Sequence, residues 1–188
     1  MWMNFKRVAL PCLALLLAAC AALQPEPRVV EISEARLAAL IAREFPRQGR
    51  YLEVFDIALD APRLKLMPEE NRIATQLPYR LGGPLTGGRA YTGLLQLSYG
   101  LRYEPSDSSV RLADVRVEEF QLAGLPPAQQ SRAGRLGGLL AQDLLQDFPI
   151  HRFRPEDLQQ AGRRGLQPGE LRVVPGGLQL HLVPVERP

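Results

Sequence analysis

Cysteine, histidine, lysine and tryptophan are all scarce in this chain of 188 residues, and each scarcity removes a class of chemistry. Cys12 and Cys20 are the only cysteines, so the chain beyond them can form neither a disulfide nor a cysteine metal site. His151 and His181 are the only histidines, and no ordered carboxylate pattern accompanies them, which argues against zinc. The 23 basic and 20 acidic residues give a net charge of +3. Setting aside Lys6 and Arg7 leaves 21 against 20, or +1. No dense positive surface remains to neutralise a phosphate backbone, so no nucleic-acid partner is expected. Lys65 is then the last lysine, and the other cations are arginines, which also suit lipid phosphates.

Catalytic patterns are missing too. No Gly-x-Ser-x-Gly elbow occurs, and Ser106, Ser108 and Ser109 fall in a predicted turn with no histidine nearby. Glu69–Glu70 and Glu118–Glu119 are sequence neighbours, and adjacent side chains in a turn or strand do not converge on one atom. No glycine-rich phosphate loop stands between a strand and a helix. The chain reads as a non-enzyme with no cofactor and no metal.

What is present begins at the N-terminus. Lys6 and Arg7 precede an uncharged run from Val8 to Ala19. That run has the length of a secretory leader's apolar region, roughly 7–15 residues, and is short of the ~20 needed to span a bilayer. It ends in Leu17-Ala18-Ala19-Cys20, which resembles the bacterial lipobox. The resemblance implies removal of residues 1–19 and acylation of Cys20, with 169 residues left. Two or more acyl chains anchor a domain stably, whereas one does so only marginally. The alternative is ordinary secretion, with cleavage at a small-residue site. Ala21 follows the cysteine, and lipoprotein sorting of the enterobacterial kind then implies the outer membrane, with the domain in the periplasm.

Residues 20–31, with Pro25 and Pro27 and no periodicity, read as the lipidated Cys and its tether, and residues 32–188 as one domain. Ser33 is placed to cap a helix over about 33–45, with Leu37, Leu40, Ile41 and Phe45 at helical spacing before Pro46. From Tyr51 the period is two. Leu52, Val54, Ile57 and Leu59 read as one strand bulged near Phe55. Leu64 and Leu66 follow Pro62, and Glu69-Glu70-Asn71 marks a turn. Alternation then runs through Ile73–Leu81 and Tyr91–Tyr103, and through Val110–Leu122 with two slips of phase that suggest bulges. A second helix is expected over about 128–147, its Leu136, Leu139, Leu140, Leu144 and Phe148 on one face and Gly134, Gly137 and Gly138 in its interior. A short strand, a helical turn at Pro155–Ala161 and a closing hairpin around Pro175-Gly176-Gly177 complete the pattern. The expected fold class is α+β, with a curved antiparallel sheet wrapped around the long amphipathic helix.

The ordered set of motifs resembles the YceB-like family of bacterial lipoproteins. It comprises the lipobox, Pro62-Arg63-Leu64-Lys65-Leu66-Met67-Pro68, Gly93–Tyr103, Val110–Val117, Gly124-Leu125-Pro126, Phe148-Pro149-Ile150 and Gly177–Leu180. Arg152-Phe153 departs from the family's pattern, where a Tyr is expected, so strand pairing in the tail stays open. The family is similar in fold to the tubular lipid-binding (TULIP) superfamily, so the resemblance implies a lipid-handling scaffold.

An apolar groove is therefore expected between sheet and helix. Its candidate lining is Leu77, Leu95, Leu97, Tyr99 and Leu101 opposite Leu136, Leu140, Leu144 and Phe148, with Arg63, Arg80 and Arg102 as candidates to meet a phosphate at the mouth. The expected ligand is a lipid or another amphiphile. The competing expectation is a closed core in an adaptor lipoprotein that docks a protein partner. His181, alternating with Leu180 and Leu182, is expected to face solvent.

Overall fold

The computed structural model describes residues 26–51 and 55–185. The expected leader, the lipobox-like stretch with Cys20, the first part of the expected tether, and Leu52 and Val54 lie outside the described residues. The elements run β1 (Arg28–Ser33), α1 (Glu34–Glu44), β2 (Arg47–Tyr51), β3 (Phe55–Leu59), β4 (Arg63–Met67), β5 (Arg72–Gly82), β6 (Tyr91–Glu104) and β7 (Ser109–Leu122). After them come α2 (Pro127–Leu145), β8 (Pro149–Arg152), α3 (Pro155–Gly162), β9 (Leu166–Val174) and β10 (Gly177–Pro184). Among the described residues no helix is long and apolar enough to cross a membrane.

The large antiparallel sheet has the order β2-β3-β5-β6-β7-β8, with β4 also paired to β5. Its register sets Ile73 opposite Tyr99, Thr75 opposite Leu97, Leu77 opposite Leu95 and Leu101 opposite Leu112, which makes one apolar face. Both expected slips in β7 are bulges, where the register shifts against Gln96/Leu97 and against Ser98/Gly100. Asp114 at the second bulge has φ 47°, and the buried Arg72 guanidinium pins it. Arg72 Nη2 donates to Asp114 O at 2.8 Å, Ser98 O at 2.8 Å and Ser98 Oγ at 3.0 Å.

A second sheet, β1-β10-β9, covers one end of that face. Leu178 and Val173 pack with Ile73, while Leu171 and Leu180 pack with Val110. The closing hairpin therefore builds a separate layer. It recruits Arg28–Ser33, of which the sequence assigned Arg28–Glu31 to the tether because that stretch shows no periodicity. Its backbone pairs with β10 while Val29 and Val30 stay exposed, so hydrogen bonding, with the packing of Ile32 near its end, makes it a strand. The bulged strand expected over 51–59 is instead a hairpin, with Tyr51 opposite Phe55 and Arg47 opposite Leu59. What looked like a slip of phase is a reversal of the chain.

The expected fold class is overturned. The described chain is mostly β, and no sheet wraps a helix. α2 spans 19 residues with none of them buried. The sheet face expected to enclose it is filled by its own side chains, by the second sheet and, through Leu37, by α1. The tubular lipid-binding architecture is therefore not the architecture of this chain.

Candidate functional site

The site begins with an unpaired strand edge. β8 pairs with Ser109–Arg111 of β7, and Leu112 exchanges backbone hydrogen bonds with Asp147 and Phe148, which leaves β7 beyond Leu112 without a strand partner on that side. α2 runs along that edge. Gln146 Oε1 accepts from Val115 N–H at 3.1 Å, and Gln142 Oε1 accepts from Val117 N–H at 3.3 Å. The Gln130 carboxamide brackets Leu122, its oxygen 3.0 Å from the Leu122 nitrogen. Beyond the helix, Asp147 N–H donates to Leu112 O at 3.1 Å.

Close approach depends on the interior glycines. A Cβ on Gly137 would lie 2.5 Å from the Phe120 ring, and one on Gly134 would lie 3.2 Å from Phe120 O. Gln130, Gly134, Gly138, Gln142 and Gln146 are spaced by four, so they form one row along the helix. Leu136, Leu140 and Leu144 form a second row of the same spacing, displaced by two residues and hence on nearly the opposite side, while Phe148, expected to continue it, lies beyond the end of the helix at Leu145. The amide–glycine row meets β7. The leucine row points away, with Leu136, Leu139, Leu140 and Leu144 exposed to 58%, 67%, 64% and 70%.

Along one flank of this contact the helix and strand part, leaving an open groove of about 1030 Å³. Leu94, Val117, Phe120, Leu122, Leu125 and Leu139 give it apolar walls. Glu118, Glu119, Gln121, Gln130, Ser131, Arg135 and Gln142 give it polar ones. Glu118 accepts from Ser98 Oγ at 3.1 Å, and Glu119 accepts from the Gln96 and Gln121 amides. Arg135 makes no ion pair among the described residues. A smaller apolar crevice of about 220 Å³ lies between α1 and β4, against Leu37, Ile41, Leu64 and Leu66.

None of the expected lining residues borders the groove. Leu95 and Leu97 are core residues, exposed to 7% and 4%, and Leu77, Tyr99 and Leu101 pack against the same core. Burial raises the pKa of Tyr99, whose hydroxyl lies 3.0 Å from Thr75 Oγ1. The helix offers that core Ala141 and Leu145, while Leu136, Leu140, Leu144 and Phe148 are exposed. The sequence thus named two apolar rows correctly and brought them together wrongly. The signal for the true contact was the Gln-Gly-Gly-Gln-Gln spacing, which apolar periodicity does not register.

The arginines expected at the mouth are elsewhere. Arg102 is bound to Glu104 at 2.7 Å and Asp147 at 3.0 Å, and Arg80 to Asp60 at 3.3 Å. Arg63 lies in β4 opposite Gln76. His181 does not face solvent as expected: its Nε2 is buried without a hydrogen-bond partner. His151 stands edge-on to Phe153 at 5.2 Å. The chain matches no protein-family profile and no functionally characterised protein.

Proposed function

We propose that the chain is a lipoprotein, anchored through acylated Cys20 at the periplasmic face of the outer membrane, that binds an amphiphile between α2 and β7. The observation that carries this reading is the groove itself. Its size matches small-molecule sites, about 300–1,000 Å³, and it combines apolar walls with a few convergent polar groups. The crevice at α1 falls below that range. An alkyl chain laid along Leu94, Leu125 and Leu139 gains about 0.8 kcal/mol per methylene, so roughly six methylenes supply about 5 kcal/mol before ordering costs. Arg135 is the cation available to an anionic headgroup. The resemblance to YceB-like lipoproteins supports the anchor, and the corrected fold removes the tubular architecture as support for the ligand.

The test is native mass spectrometry of the domain from residue 21 onward, together with uptake of a fluorescent fatty acid. Co-purifying amphiphile is expected, and Gly138→Leu, which fills the groove from the helix side, is expected to abolish uptake. A folded domain with no bound amphiphile and no uptake defeats the reading. The filled sheet interior, with Leu95 and Leu97 buried, then favours the adaptor. In that case crosslinking in cells should trap a protein partner on the intact lipoprotein.

A further inference from the structure

The outward leucine row is the feature that groove binding leaves unused. Leu136, Leu139, Leu140 and Leu144 project from α2, and Phe148 and Ile150 continue the exposed apolar surface into β8, at 42% and 47%. Isolated exposed leucines are ordinary, whereas a row on one helix face, rimmed by charge, marks an interaction surface. Two facts indicate what it meets.

The first is where the chain leaves the fold. Arg28 starts β1 opposite Leu182, and Leu182 packs in the cluster of Val110, Tyr103 and Phe153. Val110 is itself paired with His151 of β8. The route toward Cys20 therefore departs from the end of the molecule where α2 finishes and β8 begins. Residues 21–27 extend to at most about 25 Å, and α2 is about 28 Å long. An anchored Cys20 keeps that end of the molecule within a helix length of the headgroups.

The second fact is charge. Arg132 and Arg135 lie on α2 beside the row and make no ion pair among the described residues, against a single carboxylate, Asp143, which shares the face with Leu139 and Leu140. Helices that lie in the plane of a bilayer surface combine an apolar face with flanking arginines that meet anionic lipids.

We infer that the leucine face of α2 rests on the bilayer that holds the lipid anchor, with Arg132 and Arg135 at the level of anionic headgroups. This deepens the proposed function and rests on its anchor. The same helix then walls the groove and touches the membrane, so Leu139, which borders both, stands where an amphiphile passes from one to the other.

The experiment uses the lipidated chain in vesicles of phosphatidylcholine with phosphatidylglycerol. Cys12 leaves with the leader and Cys20 is acylated, so Leu140→Cys carries the sole free thiol for an environment-sensitive fluorophore. Gln48→Cys, on β2 at the far edge of the large sheet, is the control. The probe at 140 should shift to the blue and be quenched by spin-labelled lipid, with quenching reduced when phosphatidylglycerol is omitted, while the probe at 48 reads as water. If the chain floats with the vesicles and the probe at 140 behaves like that at 48, the anchor stands and the bilayer contact is overturned. A blue-shifted probe at 140 that lipid quenchers cannot reach places a protein, such as a second copy, on the row and overturns it as well. A processed chain that does not float overturns the anchor itself.

Discussion

Gly137 and Gly138 are neighbours on α2 with opposite constraints. Alanine in place of glycine within a helix contributes about 1 kcal/mol from propensity alone. At Gly138 a Cβ meets Val117 Cγ1 at 3.5 Å, an ordinary contact, so Gly138→Ala is expected to stabilise by up to about 1 kcal/mol. At Gly137 the Cβ would enter the Phe120 ring, which packs tilted against Tyr79 with centroids 5.4 Å apart. Overpacking costs about 1–3 kcal/mol, so Gly137→Ala is expected to destabilise, by up to about 2 kcal/mol net. Urea unfolding of the two variants should show shifts of opposite sign. Glu104 offers a second test. Hydrogen bonds from Arg102 first, then Ser106, lower its pKa to about 2. A carboxylate depressed in the folded state stabilises above its unfolded pKa, and the contribution disappears as pH falls through the folded one. Wild-type stability should therefore lose a component between about pH 4.5 and pH 2 that Glu104→Gln lacks, measured by thermal unfolding across that range. The interior glycines were legible in the sequence as anomalies. Which of them touches Phe120 was not, because that depends on how α2 turns back and docks on β7, the strand before it.

Elements were more legible than the contacts between them. Ser33 caps α1 through its side chain, accepting from Arg36 N–H at 3.3 Å. Pro127 opens α2, and both bulges of β7 fall where its alternation slips. Local propensity and period decide these features. The face of α2 is decided differently. A leucine row faces inward when an apolar layer is available, but α2 lies against a strand edge, where the unmet demand is for hydrogen bonds. Amides and glycines therefore win the contact, and the leucines are displaced outward. This assigns Gln142 and Gln146 a measurable task. Gln142→Leu with Gln146→Leu removes the acceptors of Val117 and Val115. A net contribution of about 0.5–1.5 kcal/mol per hydrogen bond gives an expected loss of roughly 1–3 kcal/mol. Faster amide exchange at Val115 and Val117, with oligomers on size exclusion as the edge is freed, would show it. Unchanged exchange at both amides would mean that the glutamines do not guard the edge.

At the scale of the molecule, the second sheet decides where tether ends and fold begins. β1 lies at the edge of β1-β10-β9, with Ile32 packed against the cluster of Ile73, Val173 and Leu178. Composition alone places Arg28–Glu31 in the tether, because its valines are exposed and its partner strand lies some 150 residues later. The structural boundary falls near Pro27, which shortens the proposed tether and would hold the domain close to the proposed anchor. The two boundaries predict different behaviour on truncation. If Arg28–Ile32 were tether, chains beginning at Pro27 and at Ser33, both of which keep the cap of α1, would unfold alike. If the segment is β1, the shorter chain loses the burial of Ile32, worth about 1.5–3 kcal/mol when complete, and exposes the β10 backbone along its length. The chain from Ser33 is then expected to unfold roughly 1–2 kcal/mol more easily, because Ile32 is half-buried, and to self-associate through β10, while the chain from Pro27 unfolds like the longer protein. Denaturant unfolding with sedimentation at two concentrations separates the cases. Equal midpoints would return the segment to the proposed tether, extend its reach by about 20 Å, and remove the proximity on which the proposed contact of α2 with a bilayer rests.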